Sequence, residues 1–127
     1  MTGNEYAERA DVFNDGGSLF RLDYRMCLDN SNDINVAELL HACLGMTGEA
    51  GEVSDLVKKW IFHNKDIDMT HLKKELGDVC WYIALACHAC GFELDDVLQT
   101  NIDKLAARYP EGHFSEKRAN NRKKGDI

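Results

Sequence analysis

The chain has 127 residues, 44% of them hydrophobic and 29% charged, with one proline and a net charge of −7 at pH 7. That length supplies one domain with its own core and not two, and the surplus of acid argues against nucleic acid as a partner, because phosphate backbones are bound by basic surfaces. The opening MTGNEYAERA has neither the basic nor the apolar region of a secretory signal, and the longest nearly uncharged apolar run, Val79 to Cys90, is too short to cross a bilayer; a cytoplasmic protein with no membrane partner is expected.

In chain order, Asn4 to about Phe13 reads as a short amphipathic helix carrying Tyr6, Ala7, Ala10 and Val12. Asn14 to Asp33 is turn-rich, with Gly16-Gly17 and the run Asp29 to Asp33, and is expected to be a loop with one helical turn around Leu22 to Cys27.

A long helix is expected from about Asn35 to Phe62, because Leu39, Cys43, Met46, Ala50, Val53, Val57 and Trp60 recur at helical spacing. Glu49 and Glu52 border that stripe, beside a ladder of Gly45, Gly48 and Gly51. Each glycine inside a helix costs about 0.5–1 kcal/mol relative to alanine, so the ladder implies close approach of another helix or of a ligand.

His63 to Asp66 reads as a connection, after which Asp68 or Thr70 can cap a second long helix ending at Gly91. From Val79 to Cys90 this helix is apolar nearly all round and is expected to be covered on more than one side. A third helix, about Leu94 to Tyr109, is stopped by Pro110; it is expected to pack through Val97, Leu98, Ile102 and Leu105, with Asn101, Lys104 and Arg108 along its edge. Residues 1–33 thus form an N-terminal helix and loop, 34–110 a helical core carrying the candidate catalytic residues, and 111–127 a polar tail with Phe114 as its anchor and the basic cluster Arg118, Arg122, Lys123 and Lys124 in solvent.

The cysteines Cys27, Cys43, Cys80, Cys87 and Cys90 are an odd set with no disulfide framework, which fits a reducing compartment. Cys87-x-x-Cys90, with His88 between, raises a redox or zinc reading, but a second ligand pair is missing and small packed thiols are the plainer interpretation.

The chemistry concentrates in two couplets, Glu49-x-x-Glu52 and Glu75-x-x-Asp78. Residues three apart share a helical face, so two such helices folded back on each other bring four carboxylates to one spot. Adjacent like charges raise each other's pKa and require a cation, and hard oxygen donors suit Mg²⁺, or Mn²⁺, rather than zinc. Hydrolysis at phosphorus is the reaction such a site serves, with Asn101, Lys104 and Arg108 offering hydrogen bonds and positive charge to phosphate oxygens. The competing reading of the couplets is a solvated acidic face.

Taken together, Gly48-Glu49-Ala50-Gly51-Glu52-Val53, then Lys74-Glu75-Leu76-Gly77-Asp78-Val79 with Trp81-Tyr82, then Asn101-x-x-Lys104-Leu105-x-x-Arg108-Tyr109-Pro110 resemble the MazG-like nucleotide pyrophosphohydrolases over roughly Asn35 to Arg122. The resemblance implies an all-α antiparallel helical bundle completed by oligomerisation, as a homodimer or homotetramer. It implies Mg²⁺-dependent cleavage of a nucleoside triphosphate to monophosphate and pyrophosphate. Glu49, Glu52, Glu75 and Asp78 match the family's metal-binding and catalytic acids; Asn101, Lys104, Arg108 and Tyr109 match positions near the substrate, and Lys59, Trp60 and His63 lie where family members touch phosphate or base. Alternatives are a phosphoribosyl-ATP pyrophosphohydrolase, a dUTP- or dCTP-selective enzyme and, outside enzymes, a helical dimerisation or metal-binding module.

Overall fold

In the computed structural model, residues 1–28 and 33–122 are described; Asp29 to Asn32 of the turn-rich run and Lys123 and Lys124 of the basic cluster lie outside them. The described residues form six α-helices and no strand: α1 (Gly3–Asp11), α2 (Ser18–Asp23), α3 (Val36–Phe62), α4 (Met69–Cys90), α5 (Leu94–Arg108) and α6 (Glu116–Asn120). The all-α fold is as expected, and it is dominated by a hairpin of α3 and α4.

Local chemistry sets the ends of that hairpin. Asn35 caps α3 by accepting from the Glu38 N–H at 3.0 Å. At the other end His63 closes the helix, and Asn64 turns the chain with φ of 51°. Asp68 is the cap of α4, its Oδ1 accepting from the N–H groups of Thr70 (2.9 Å) and His71 (3.0 Å). Gly91, at φ of 68°, ends α4 in the left-handed conformation; its N–H reaches His88 O and that of Phe92 reaches Cys87 O, the paired bonds of a Schellman stop.

Two contacts fasten the open end of the hairpin. The Asn35 N–H donates to Ala89 O at 2.9 Å, and His88 Nδ1 lies 2.8 Å from Glu38 Oε2. Ala42 of α3 and Cys87 and Ala89 of α4 are buried, and the Tyr82 ring lies edge-on to His41 with centroids 5.8 Å apart. Gly45 accounts for the close crossing, because a Cβ there would come within 2.1 Å of the Tyr82 ring. Gly48 and Gly51 have no such neighbour within 4 Å, so only the first rung of the ladder serves packing within the chain.

Several expectations are corrected. The segment after Gly17 is more helical than a loop: α2 runs directly into a π-helical turn, Tyr24–Leu28. Its start is held by a fork in which both terminal nitrogens of Arg21 donate to Asp15 at 2.8 Å. α5 packs extensively on neither α3 nor α4, and Leu98 and Ile102 of its apolar stripe are exposed. With a two-residue link after the Gly91 turn, α5 leaves the hairpin instead of folding back along it. α4 is covered by α3 on one side, while Trp81 on another is 56% exposed. The tail gains a short helix, α6, capped by Ser115, and Phe114 packs at 5.7 Å against Tyr109 although it stays mostly exposed.

Candidate active site

The first couplet lies in the middle of α3 and the second in the first half of α4, so antiparallel pairing sets them face to face. One carboxylate oxygen from each of Glu49, Glu75 and Asp78 lies within 4.8 Å of the other two. Glu52 stands outside this trio, exposed one turn further along α3, yet its charge still reaches Glu49. The structure therefore gathers three acids closely and leaves the fourth beside them.

Glu49 is electrostatically frustrated. Partial burial pushes the Glu49 carboxyl above its ordinary value, and the Asp78 charge, a hydrogen bond with Glu75 and the charges of Glu75 and Glu52 add to the rise. No cationic side chain is among the causes acting on Glu49. Three convergent carboxylate oxygen donors fit a hard divalent cation. Among the described residues, Glu49, Glu75 and Asp78 form the group able to hold a metal, and no cysteine or histidine belongs to it. The Cys87-x-x-Cys90 pair is divided between a buried and a half-buried thiol on the interior of α4.

The expected substrate-side residues are more scattered. Lys59 is engaged by Asp55, which also binds Lys58 at 2.6 Å; the two lysines hold the Asp55 carboxyl down to about 2, and Asp55 in turn raises Lys59. Trp60 is half-exposed on the last turn of α3, and His63 is that helix's terminal cap. Asn101, Lys104 and Arg108 lie on α5, with Tyr109 capping its end. Because α5 does not lie against the hairpin, these four are not brought to the acids by packing within one chain.

Two residues not singled out from sequence join the site's surroundings. His71 Nε2 lies 2.7 Å from Glu75 Oε1, and Asp55 ties down Lys59. The signal for both was a spacing of four along a helix, which is meaningful only once the partner is known to matter.

A family model, the MazG nucleotide pyrophosphohydrolase domain, matches residues 38–113, a span that holds both acidic couplets and all of α5. The chain belongs to this family. Membership of the MazG family supports nucleotide pyrophosphohydrolase activity in general. The chain is also similar to the Gene 37 protein of Mycobacterium phage L5, with 37% identity over 83 residues, 61% of this chain and 72% of that protein. No solved structure matches. No helix among the described residues is long and apolar enough to cross a membrane.

Proposed function

We propose that this MazG protein is a Mg²⁺-dependent nucleoside triphosphate pyrophosphohydrolase that cleaves (d)NTP to (d)NMP and pyrophosphate, with Mn²⁺ as an alternative ion. The observation that carries this reading is the convergence of Glu49, Glu75 and Asp78, with no lysine or arginine among the groups acting on Glu49, inside the family span. These three would hold the cation. When bound, the ion neutralises phosphate charge and lowers the pKa of a water.

The chain's own residues account for the rest. With a cation held, the trio would seat the triphosphate beside the acids, which on their own would repel it. Glu52, next to the trio but not in it, is the carboxylate left to take a proton from the attacking water as its oxygen bonds to phosphorus and the α,β-anhydride breaks. Lys59, Trp60 and His63, at the far end of α3, would face the phosphate and base.

Self-association completes the proposal. Leu44 is 67% exposed and Leu76 49%, on the helices that carry the acids. Apolar surface of this extent on paired helices favours a second copy. A homodimer or homotetramer would cover it and supply α5, with Asn101, Lys104, Arg108 and Tyr109, to the phosphate side of a neighbouring site. Residues 34–110 then form the catalytic core of a single domain, working in the cytoplasm on free nucleotides and not on nucleic acid.

The test is product analysis with canonical and modified nucleoside triphosphates, dUTP and dCTP among them, and with phosphoribosyl-ATP. Equal monophosphate and pyrophosphate from a triphosphate supports the reading. Turnover of phosphoribosyl-ATP alone would replace the substrate, and no turnover would leave a metal-binding helical module.

A further inference from the structure

Glu75 is held from two directions. Its carboxylate, 14% exposed, has an oxygen within 4.8 Å of a Glu49 oxygen across the hairpin and receives His71 on its own helix, with Nε2 2.7 Å from Oε1. The partner of that ring nitrogen is a carboxylate oxygen, so Nε2 carries the hydrogen and donates.

His71 is itself fixed at its backbone. Its N–H donates to Asp68 Oδ1 at 3.0 Å, so the cap of α4 sets the first turn from which the imidazole reaches one turn forward. The linkage runs from cap to imidazole to carboxylate to acid trio. A glutamate side chain has three rotatable bonds, and one oxygen occupied by a fixed donor removes much of the freedom that cation binding would otherwise have to freeze.

We infer that His71 is a positioning residue for the cation site: by donating from Nε2 to Oε1 it holds the Glu75 carboxylate facing Glu49 and Asp78. This rests on the reading of Glu75 as a metal ligand. His71 touches neither substrate nor reacting atoms and acts through Glu75. Its ring is half-exposed, so replacing it opens no cavity.

The test compares His71→Gln, whose amide can still donate, with His71→Met, similar in size and helix preference but without a donor. Mn²⁺ binding to the full chain is followed by loss of the free-ion electron paramagnetic resonance signal, and nucleotide turnover is measured against Mg²⁺ concentration. Loss of a hydrogen-bond partner behind a metal ligand typically costs about 10–100-fold in metal affinity. His71→Met is expected to bind Mn²⁺ weaker by that factor, with a matching rise in the Mg²⁺ needed for half-maximal rate and little change in kcat at saturating Mg²⁺. His71→Gln is expected to restore most of the affinity. Wild-type binding by His71→Met, or equal losses in both variants, would overturn the inference while leaving the metal site standing. A wild-type protein that binds no Mn²⁺ would overturn the metal reading and this inference with it.

Discussion

The Tyr82 ring fills the place of a side chain at residue 45: a Cβ on Gly45 would lie 2.1 Å from Tyr82 Cε1 and 2.3 Å from Cζ. The contact sits one turn before Glu49 on α3 and one turn after Asp78 on α4, so the spacing of the two helices beside the acids depends on it. Gly45→Ala must displace a ring wedged between His41 and Trp81, with centroids 5.8 and 4.9 Å away. Overpacking of this kind costs about 1–3 kcal/mol. Gly48, three residues on, has open space around it, and alanine there gains up to about 1 kcal/mol of helix propensity. Urea denaturation of the two variants should shift in opposite directions.

Removing one acid of the trio should abolish turnover without loss of fold. Asp78→Asn keeps the shape but removes a charged donor, and transition-state stabilisation of several kcal/mol corresponds to at least about a 100-fold fall in rate. Circular dichroism should be unchanged. Near-normal turnover in Mg²⁺ would remove Asp78 from the site.

The raised Glu49 carboxyl gives a pH dependence of defined sign. Its folded pKa lies above the ordinary 4.5, so the folded chain holds a proton that the unfolded chain releases. Stability from this group is present below 4.5 and is lost as pH rises through the folded value. In EDTA, the Tm of the wild type should therefore fall relative to Glu49→Gln as pH rises above 4.5, and Mg²⁺ should raise the wild-type Tm more at higher pH. Parallel Tm profiles for the two proteins would refute this.

Asp68 behaves in the opposite sense. The N–H bonds from His71, the larger cause, and from Thr70 hold its carboxyl below the ordinary 3.8, so its contribution is present above that pH and lost on acidification below it. Loss of such a cap costs about 1 kcal/mol. Asp68→Ala should lower stability at pH 7 by that amount and have a smaller effect in acid, as measured by thermal unfolding.

Leu44→Lys tests the proposed assembly. At 67% exposure the side chain supports little within one chain, so a surface substitution there should alter monomer stability by about 0.5 kcal/mol or less. Sedimentation should give the wild type at twice the 14.4 kDa chain mass or more, and the variant as a lighter species with reduced turnover. A wild type that sediments as a single chain would contradict the assembly.

Much of this was legible in the residues. The heptad-like recurrence from Leu39 to Trp60 and the Gly91 stop place the ends of α3 and the end of α4 within a residue, because each rests on local backbone chemistry, whereas spacing leaves Asp68 and Thr70 both open as the α4 cap and the structure selects Asp68. The acids stood out because they interrupt apolar faces. That Glu52 lies outside the trio depends on the rotation of α3 against α4, which Tyr82 and Gly45 set across a separation of 37 residues. The course of α5 was illegible for a related reason: its apolar stripe states that something covers it, not which element does. α2 and α6 are too short for periodicity to register.

The central claim is most directly tested by measuring pyrophosphate release from a panel of nucleoside triphosphates with Mg²⁺ and with EDTA. The expected result is stoichiometric monophosphate and pyrophosphate in Mg²⁺, suppressed by EDTA and by Asp78→Asn. Release that persists in EDTA, orthophosphate as the product, or no release from any nucleotide would contradict it.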